Sequence, residues 1–584
     1  MNLNLKAKQN KTFDAIVIGS GITGGWAAKE LSEKGLKTLI LERGRDVKHI
    51  ADYTTAELDT WDLPNRGQIA AEEVNAHYFK QVRSGNLTEA NKQFFVKDDE
   101  HPYQEKVRFD WFRGYHLGGS SLTWDRQTYR FSDLDFEANS KDGIGVDWPI
   151  RYKDLEPWYA YVERFIGVAG EKLSVGHLPD GDEMMSALSY NCVERHMKSQ
   201  IESRWDDRKL MVNRVANLSE YYELFRAGEP NHGKRQKCMM RNRCDRGCPY
   251  GGYFSSLSST LPAALATGNL TIATNKYVTE VLYNEETQKA DGVRVINTVT
   301  GDNEEYFARV IFLCASTVDS AAILMNSKSG RFPNGLGNDS GELGHNLMDQ
   351  HAGIGLVGST NDFQELYYKG RRPTGFNIHR FVNTNASSKS NSFVRGFSYD
   401  GIAQREGWGI DFQEIISSGI GLGTKERIMR PPSNWTVRIQ ALGEMLPYHQ
   451  NHFYLDETQL DNWGIPQLHF DAGYYGSNEV QMRQKMLEEA QEIFSECRIK
   501  VSVVVNDKPV FGRVGRVVGS ARMGKDANES ICNGNNQVHG CKNVFLTDGA
   551  CLPSSGTQSP DLTLMAITCR AVDFAVNQMK KTNI

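Results

Sequence analysis

The chain has 584 residues, of which 39% are hydrophobic and 24% charged, and its formal net charge is −5. This length predicts two domains, or one large domain with a second layer. The composition excludes a nucleic-acid-binding protein, because no basic patch or tail is present. No apolar run approaches the roughly 18 residues of a membrane helix. The start, MNLNLKAKQNKT, has no apolar signal segment and no twin arginines, so taken alone it predicts a cytoplasmic protein.

The N-terminal residues have the pattern of a parallel α/β sheet. A strand at residues 15–20, a helix at about residues 24–34 and a strand at residues 38–42 follow one another. Between the first strand and the helix, residues 19–24 read GSGITG, which matches the GxGxxG turn that binds a dinucleotide. Glu42 stands where an acid would bind the ribose. These features predict a dinucleotide site, but they do not distinguish NAD from FAD.

The three glycines of this turn have separate roles. Gly19 permits the tight bend, Gly21 lets the backbone approach the pyrophosphate, and Gly24 lets the helix pack on the strand. The helix N-terminus then presents free N–H groups to the phosphates.

The later segments predict a second sheet and a return to the first domain. Residues 270–309 alternate as a small meander that ends in a buried strand. Residues 349–508 contain short alternating strands and one amphipathic helix at residues 478–497, which predicts an antiparallel sheet with a covering helix. From Gly512 the strand–glycine–helix pattern returns. We therefore expect an α/β protein in which both ends of the chain join one cofactor domain.

A group of three cysteines is a candidate metal site. Cys238, Cys244 and Cys248 lie in one short segment that Pro249 follows. Soft thiolates at this density suit an iron–sulfur cluster or zinc. Structural zinc usually needs four ligands, and His232 is a poorly spaced fourth. Structural or free thiols are the remaining alternative.

Beginning with GGSSLTW at residues 118–124, the chain resembles the glucose–methanol–choline family of oxidoreductases, whose members bind FAD. Other blocks follow in the family's order, among them GELGHNLMDQH at 341–351, GSARMG at 519–524 and the block at 538–563. The resemblance implies a Rossmann-like FAD-binding domain plus an antiparallel-sheet substrate domain, an architecture like that of p-hydroxybenzoate hydroxylase. The expected FAD domain comprises residues 1–170, 233–345 and 510–584, with the cysteine segment 237–250, and the substrate domain comprises 171–232 and 346–509.

The resemblance also implies a set of FAD contacts. The pyrophosphate is expected at Gly19, Gly21, Ile22, Thr23 and Gly24, the ribose on Glu42, the adenine near Val278, and the flavin and its side chain near Gly119, Ser120, Trp124, Asp548, Gly549 and Leu562. Some relatives attach FAD through a histidine at the position of Thr123, so we expect non-covalent FAD here. His116 lies nearby and is expected to be structural.

The cysteines resemble those in catalytic subunits of bacterial FAD-dependent glucose dehydrogenases and their relatives. There, three such cysteines hold a three-iron, four-sulfur cluster between the flavin and a cytochrome. The resemblance therefore implies a cluster on Cys238, Cys244 and Cys248. Nearby arginines, Arg241, Arg243 and Arg246, would offset the negative charge of the cluster or face the acceptor protein.

The catalytic positions depart from the family. Oxidising an alcohol by hydride transfer needs a base for the hydroxyl proton and a donor for the oxygen. Where the family has its histidine and its histidine or asparagine, this chain has Arg516 and Ser559. Arg516 is a poor base; it either holds a substrate oxygen or pairs with a carboxylate. Ser559 would bind the hydroxyl, and Asp561 would be the base.

Two residues of the second domain are candidate substrate contacts, namely Gln440 and Glu444, although Glu444 could instead bridge the two domains.

The resemblance favours a sugar dehydrogenase. Within the subgroup, oxidation of a glucoside C3 hydroxyl to the 3-keto product is the preferred activity, with electrons leaving through the cluster to a cytochrome c or a quinone-linked acceptor. A small partner with a twin-arginine signal would carry the protein to the periplasm; otherwise it is cytoplasmic. The alternatives are an oxygen-using pyranose or glycoside oxidase of the same fold, and a non-catalytic flavin-binding electron-transfer subunit.

Overall fold

The computed structural model of the chain describes residues 12–220, 235–363, 374–405 and 434–584. Its helices are α1 (Ile22–Glu33), α2 (Ala71–His77), α3 (Asp133–Phe136), α4 (Ala138–Asp142), α5 (Tyr152–Ile166), α6 (Cys192–Arg204), α7 (Thr260–Ala266), α8 (Thr317–Asn326), α9 (Ser477–Glu496) and α10 (Asp561–Lys580). Its strands are β1 (Thr12–Ile18), β2 (Thr38–Leu41), β3 (Gln104–Glu105), β4 (Leu210–Val212), β5 (Leu270–Ala273), β6 (Lys276–Asn284), β7 (Lys289–Asn297), β8 (Asn303–Leu313), β9 (His351–Thr360), β10 (Phe376–Ile378), β11 (Phe397–Arg405), β12 (Trp435–Gly443), β13 (His452–Leu460), β14 (Pro466–Asp471), β15 (Lys500–Asn506), β16 (Gln537–Val538) and β17 (Cys541–Leu546). No helix in these ranges has the length and apolarity needed to cross a membrane.

The first sheet brings both ends of the chain together. Its strand order is β16-β17-β8-β1-β2-β5, and β6 and β7 extend it beside β8. The pairs of β1 with β2, β1 with β8 and β17 with β8 are parallel, whereas β6, β7 and β8 form an antiparallel meander. The cores of β1 and β17 are continuous apolar runs, as expected of strands that are covered on both faces. The prediction of one α/β sheet built from both ends is confirmed.

The second sheet is antiparallel, as predicted. Its order is β15-β9-β12-β11-β10-β4, with antiparallel pairing at each step. On one face, Val437 and Ile439 of β12 are buried in a cluster with Met486 and Ile493 of α9. The alternate residues of β12, Arg438 and Gln440, are exposed on the opposite face. Strand alternation therefore gives this sheet an apolar face for α9 and a polar face for a ligand or for another layer.

A small third sheet was not predicted. Strands β13 and β14 are antiparallel, and β14 pairs in parallel with β3. Phe109 stacks on Phe470 with a centroid distance of 4.1 Å and on Phe511 with a centroid distance of 5.8 Å. This stack joins the polar N-terminal region to the C-terminal half of the chain. The domain boundaries given above stay a prediction.

Candidate functional site

The glycine turn has the geometry of a phosphate cradle. Gly19 has φ +92°, and a Cβ there would lie 2.5 Å from the carbonyl oxygen of Cys314. A Cβ on Gly24 would lie 2.1 Å from the carbonyl oxygen of Gly19, so helix α1 packs directly on the turn. A Cβ on Gly21 would meet no atom within 4 Å. Gly21 is also the N-cap of α1, and no side chain caps this helix. The turn thus offers open space and uncapped N–H groups, which suit a pyrophosphate.

Glu42 lies beside this turn and is fixed by it. Its carboxylate accepts hydrogen bonds from the backbone N–H of Ser20 at 3.1 Å and of Gly44 at 2.9 Å, and from the Ser20 hydroxyl. Burial raises the pKa of Glu42 above its usual value, although these hydrogen bonds oppose the shift. The carboxylate is held at the wall of the cavity, where a ribose hydroxyl would meet it.

One cavity joins most of the predicted FAD contacts. The predicted contacts on its wall are Gly19, Gly21, Ile22, Thr23, Glu42, Gly119, Ser120, Val278, Asp548 and Gly549. Three predicted contacts lie elsewhere: Gly24 packs against Gly19, the Trp124 indole donates to the Phe254 carbonyl at 3.0 Å, and Leu562 is fully buried. The chain thus has the cradle, the acid and the cavity that an FAD requires.

Asp548 is anchored at the cavity wall. Its carboxylate accepts hydrogen bonds from the N–H of Ser316 at 3.1 Å, from the N–H of Ala550 at 3.0 Å and from the Ser320 hydroxyl. Burial raises the pKa of Asp548 to about 6. These contacts hold the carboxylate in place for a polar group of the cofactor side chain.

Arg43 was missed by the sequence reasoning. Its guanidinium carbon lies 3.8 Å from the centroid of the Tyr277 ring and 4.3 Å from that of Tyr115, and its Nη1 is 3.5 Å from Asp319. All four residues line the cavity. An arginine between two aromatic rings forms a rigid, flat surface. Its position directly after Glu42 was the only available signal.

Arg516 pairs with a carboxylate, which was the structural alternative. Its Nη2 donates to Asp125 at 2.5 Å and to Gln127 Oε1 at 3.1 Å, and its Nη1 donates to Gln350 Oε1 at 2.8 Å. Burial would raise the pKa of Asp125, but the Arg516 guanidinium lowers it below its usual value. Arg516 lines the cavity, so a positive group is fixed there by three neighbours. Asp125 and Gln127 were not predicted.

Asp561 reaches the same cavity, whereas Ser559 does not. Asp561 begins helix α10 and lies on the cavity wall. The buried hydroxyl of Ser559 donates a hydrogen bond to the Asp561 carboxylate. Burial, followed by the negative charge of Asp125, raises the pKa of Asp561 to about 6. The described wall therefore carries a carboxylate whose pKa is raised and which a serine hydroxyl orients.

The two candidate substrate contacts are in different environments. Glu444 is fully buried, with its Oε1 3.0 Å from Nη1 of Arg395 and its Oε2 3.7 Å from Nη1 of Arg380. Arg395 also contacts Asp142 at 2.8 Å. This network corresponds to the bridging alternative, and Glu444 is not among the lining residues. Gln440 is exposed on the polar face of the second sheet.

The three cysteines lie near one another without forming a closed ligand set. All three are half-buried, and burial raises the pKa of Cys244 to about 11, with Cys238 and Cys248 adding to the shift. Cys248 Sγ accepts a hydrogen bond from the Gly252 N–H at 3.3 Å. In the described ranges, no three His, Cys, Asp or Glu side chains are grouped as metal ligands. His232 is outside these ranges.

The arginines beside the cysteines bind another loop of the chain. Arg241 donates to the carbonyl of Ala56 at 2.7 Å, and Arg246 donates to that of Leu58 at 2.9 Å. Arg243 donates to the Glu57 carbonyl at 3.1 Å and pairs with Asp59. These contacts fasten the cysteine segment to residues 56–59. That the three arginines offset the charge of a cluster or face an acceptor protein stays a prediction.

Sequence comparisons give the family. The N-terminal profile of the GMC oxidoreductases matches residues 13–352, and the C-terminal profile matches residues 447–568. The fructose dehydrogenase large subunit of Gluconobacter japonicus is 24% identical, with coverage of 98% of this chain and 100% of the relative. The 2-methyl-1,2-propanediol dehydrogenase of Mycolicibacterium austroafricanum is 22% identical, with coverage of 96% and 94%. The gluconate 2-dehydrogenase flavoprotein of Pantoea cypripedii is 20% identical, with coverage of 96% and 93%.

Solved structures have the same fold. Pyridoxine 4-oxidase from Mesorbium loti superposes with a TM-score of 0.60 at 15% identity, covering 97% of this chain and 99% of the other. A formate oxidase from Aspergillus oryzae gives 0.61 at 14% identity, covering 98% and 99%. The chain therefore belongs to the GMC oxidoreductase family and is a FAD-dependent enzyme that acts on CH–OH groups.

Proposed function

We propose that the enzyme is a dehydrogenase that oxidises a hydroxyl of a sugar or glycoside, with the C3 hydroxyl of a glucoside as the preferred substrate group. The observation that carries this proposal is Asp561, a carboxylate on the wall of the cofactor cavity with a pKa raised to about 6 by burial. The fructose and gluconate dehydrogenase relatives favour a polyhydroxylated substrate.

Asp561, Ser559 and Arg516 have separate roles in the proposed reaction. Asp561 accepts the hydroxyl proton while the C–H hydride leaves with its electron pair, so that the alcohol becomes a ketone. Ser559 orients Asp561, and Arg516, fixed by Asp125 and Gln350, keeps a positive charge beside the developing alkoxide. When bound, FAD supplies the acceptor of the hydride. Because Thr123 stands at the position of the attachment histidine in some relatives, we propose that FAD is bound non-covalently.

For the exit of electrons we propose an iron–sulfur cluster on Cys238, Cys244 and Cys248. Support comes from three half-buried cysteines of one segment, in which Cys238 and Cys248 are close enough to Cys244 to add to the upward shift of its pKa. Tyr253 links the segment to residues 118–124, which are expected near the flavin, because its hydroxyl is 2.5 Å from the Leu122 carbonyl and 3.1 Å from that of Cys244. A bound metal would displace the protons of the three thiols. The cluster would pass its electrons to a cytochrome c or a quinone-linked acceptor. The protein would reach the periplasm by export together with a small partner subunit.

A second candidate is an oxygen-using sugar oxidase. It is favoured because, in the described part of the chain, the cysteines are not grouped as metal ligands. An oxidase passes its electrons directly to oxygen and needs no cluster. An anaerobic visible spectrum with iron and sulfide analysis distinguishes the two. Iron and sulfide in stoichiometric amounts support the cluster, and flavin bands without iron support the oxidase. Repeating the spectrum after addition of a glucoside tests for catalysis, because a non-catalytic flavin carrier would show no reduction.

A further inference from the structure

Asp400 is a carboxylate that the reaction above does not use. It lies on β11, and its Oδ1 accepts a hydrogen bond from Asn377 Nδ2 at 3.0 Å while its Oδ2 accepts one from Gln127 Nε2 at 2.9 Å. Arg516 Nη2 is 4.0 Å from the same carboxylate. Each carboxylate oxygen therefore keeps a lone pair that these two amides do not use. Two amides and a guanidinium fix the direction in which the free lone pairs point.

The face that carries Asp400 is turned toward the catalytic residues. Asp400 reaches Gln127 and Arg516, and Ser398, two residues earlier on the same strand, contacts the Thr557 carbonyl at 3.4 Å. The opposite face of the sheet is covered by α9. The Asp400 side chain is still 25% exposed, so its carboxylate remains accessible to a ligand.

Gln440 supplies a second group on this face. Gln440 is directly opposite Asp400 in the register of β11 and β12, and its side chain is exposed. Directly opposed residues of antiparallel strands have Cβ atoms about 4.5–5.5 Å apart. A carboxylate and a primary amide at this separation offer acceptors and donors for two neighbouring hydroxyls.

We propose that Asp400 and Gln440 bind hydroxyls of the substrate other than the one that is oxidised, and so select a polyhydroxylated ring. The inference rests on the proposed function, because it assumes that the substrate lies between Asp561 and the second sheet. Asp400 would be a specificity-determining residue: its contact to Gln127 and Arg516 ties the orientation of the ring to the catalytic groups. A substrate that lacks the bound hydroxyl would leave this carboxylate unpaired.

The test uses the FAD-loaded enzyme and the rate of anaerobic flavin reduction. The substrates are a methyl glucoside and its 2-deoxy, 4-deoxy and 6-deoxy analogues, and the variants are Asp400→Asn, Asp400→Glu and Gln440→Ala. Asp456→Asn, on β13 of another sheet, is the matched control. We expect Asp400→Asn to lower kcat/KM for the glucoside about 10–100-fold, mainly through KM, with part of the loss restored in Asp400→Glu.

The deoxy analogues decide whether the loss comes from a contact. With one analogue, wild type and Asp400→Asn should react at nearly equal rates, because the hydroxyl that Asp400 binds is already missing. If Asp400→Asn lowers kcat/KM by the same factor for the glucoside and for every deoxy analogue, or lowers it for no substrate, the inference is overturned. The proposed function would be unaffected. Failure of the wild type to react with any of these glucosides would contradict both. The melting temperature of each variant shows whether it is folded. If Asp400→Asn does not fold, Gln440→Ala takes its place, and it must lose activity on the glucoside but react like wild type with one deoxy analogue.

Discussion

The Ser559 hydroxyl donates a hydrogen bond to the Asp561 carboxylate at the first turn of α10, on the wall of the cofactor cavity. The resemblance to the family places a histidine or asparagine at the position of Ser559. In the proposed mechanism, the neighbouring Asp561 carboxylate accepts the proton instead of an imidazole. Burial and the negative charge of Asp125 raise the pKa of this proposed base, whereas the Ser559 hydroxyl and the Arg516 guanidinium lower it.

The first prediction concerns removal of this base. Asp561→Asn should lower the rate constant of flavin reduction about 100- to 10,000-fold, because the hydroxyl proton loses its acceptor. Stopped-flow absorbance under anaerobic conditions measures the rate. FAD content and melting temperature should stay close to the wild type. A variant that reduces flavin at the normal rate would show that another group accepts the proton.

The second prediction concerns pH. The base acts when deprotonated, so kcat/KM should rise with pH through about 6 and level off at higher pH. The Ser559 hydrogen bond lowers the pKa of Asp561. Ser559→Ala should therefore move the profile to higher pH, with a modest loss at the plateau. A shift to lower pH, or no shift, would argue against Asp561 as the titrating group.

The third prediction separates the glycines of the turn. A Cβ on Gly21 enters open space, whereas a Cβ on Gly24 collides with the Gly19 carbonyl. Gly21→Ala should leave the stability of the apoprotein unchanged and weaken FAD binding, and Gly24→Ala should cost about 1–3 kcal/mol of folding free energy. Denaturant unfolding and FAD titration measure the two effects. Equal FAD affinity in Gly21→Ala and wild type would be inconsistent with a pyrophosphate at this turn.

The fourth prediction concerns Glu444. Removing the negative charge of Glu444 leaves the positive charge of Arg395 buried without this ion-pair partner. Glu444→Gln should therefore lower the free energy of unfolding by about 3–5 kcal/mol. Gln440→Ala, on the exposed face, should leave stability unchanged. Urea denaturation measures both. A raised KM in Glu444→Gln with normal stability would instead restore the role of Glu444 as a substrate contact.

The fifth prediction concerns the cysteines. Serine at Cys238, Cys244 or Cys248 should abolish most of the bound iron, while Cys192→Ser, another half-buried cysteine, should retain it. Iron and sulfide assays on anaerobically purified protein measure the content. If all four variants and the wild type contain the same amount of iron, the cluster is not on these residues.

The sequence reasoning succeeded where the signal is local. The strand, turn and helix at residues 12–33 and the helix expected at residues 478–497, observed at Ser477–Glu496, depend on spacing within a short segment. Pairs of side chains that are distant in the sequence were not predicted. Arg516 and Asp125 are 391 positions apart, and spacing alone does not reveal their pairing. For the same reason Asp400 was overlooked, because its strand register with Gln440 arises only in the folded sheet.

Oxidation of a sugar hydroxyl by the bound flavin is tested most directly by anaerobic titration of the FAD-loaded enzyme with a glucoside. The oxidised flavin band should bleach completely, a 3-keto product should form in equal amount, and an added quinone or cytochrome should restore the band faster than oxygen does. Persistence of the oxidised band with all sugars and polyols tried would contradict the proposed function.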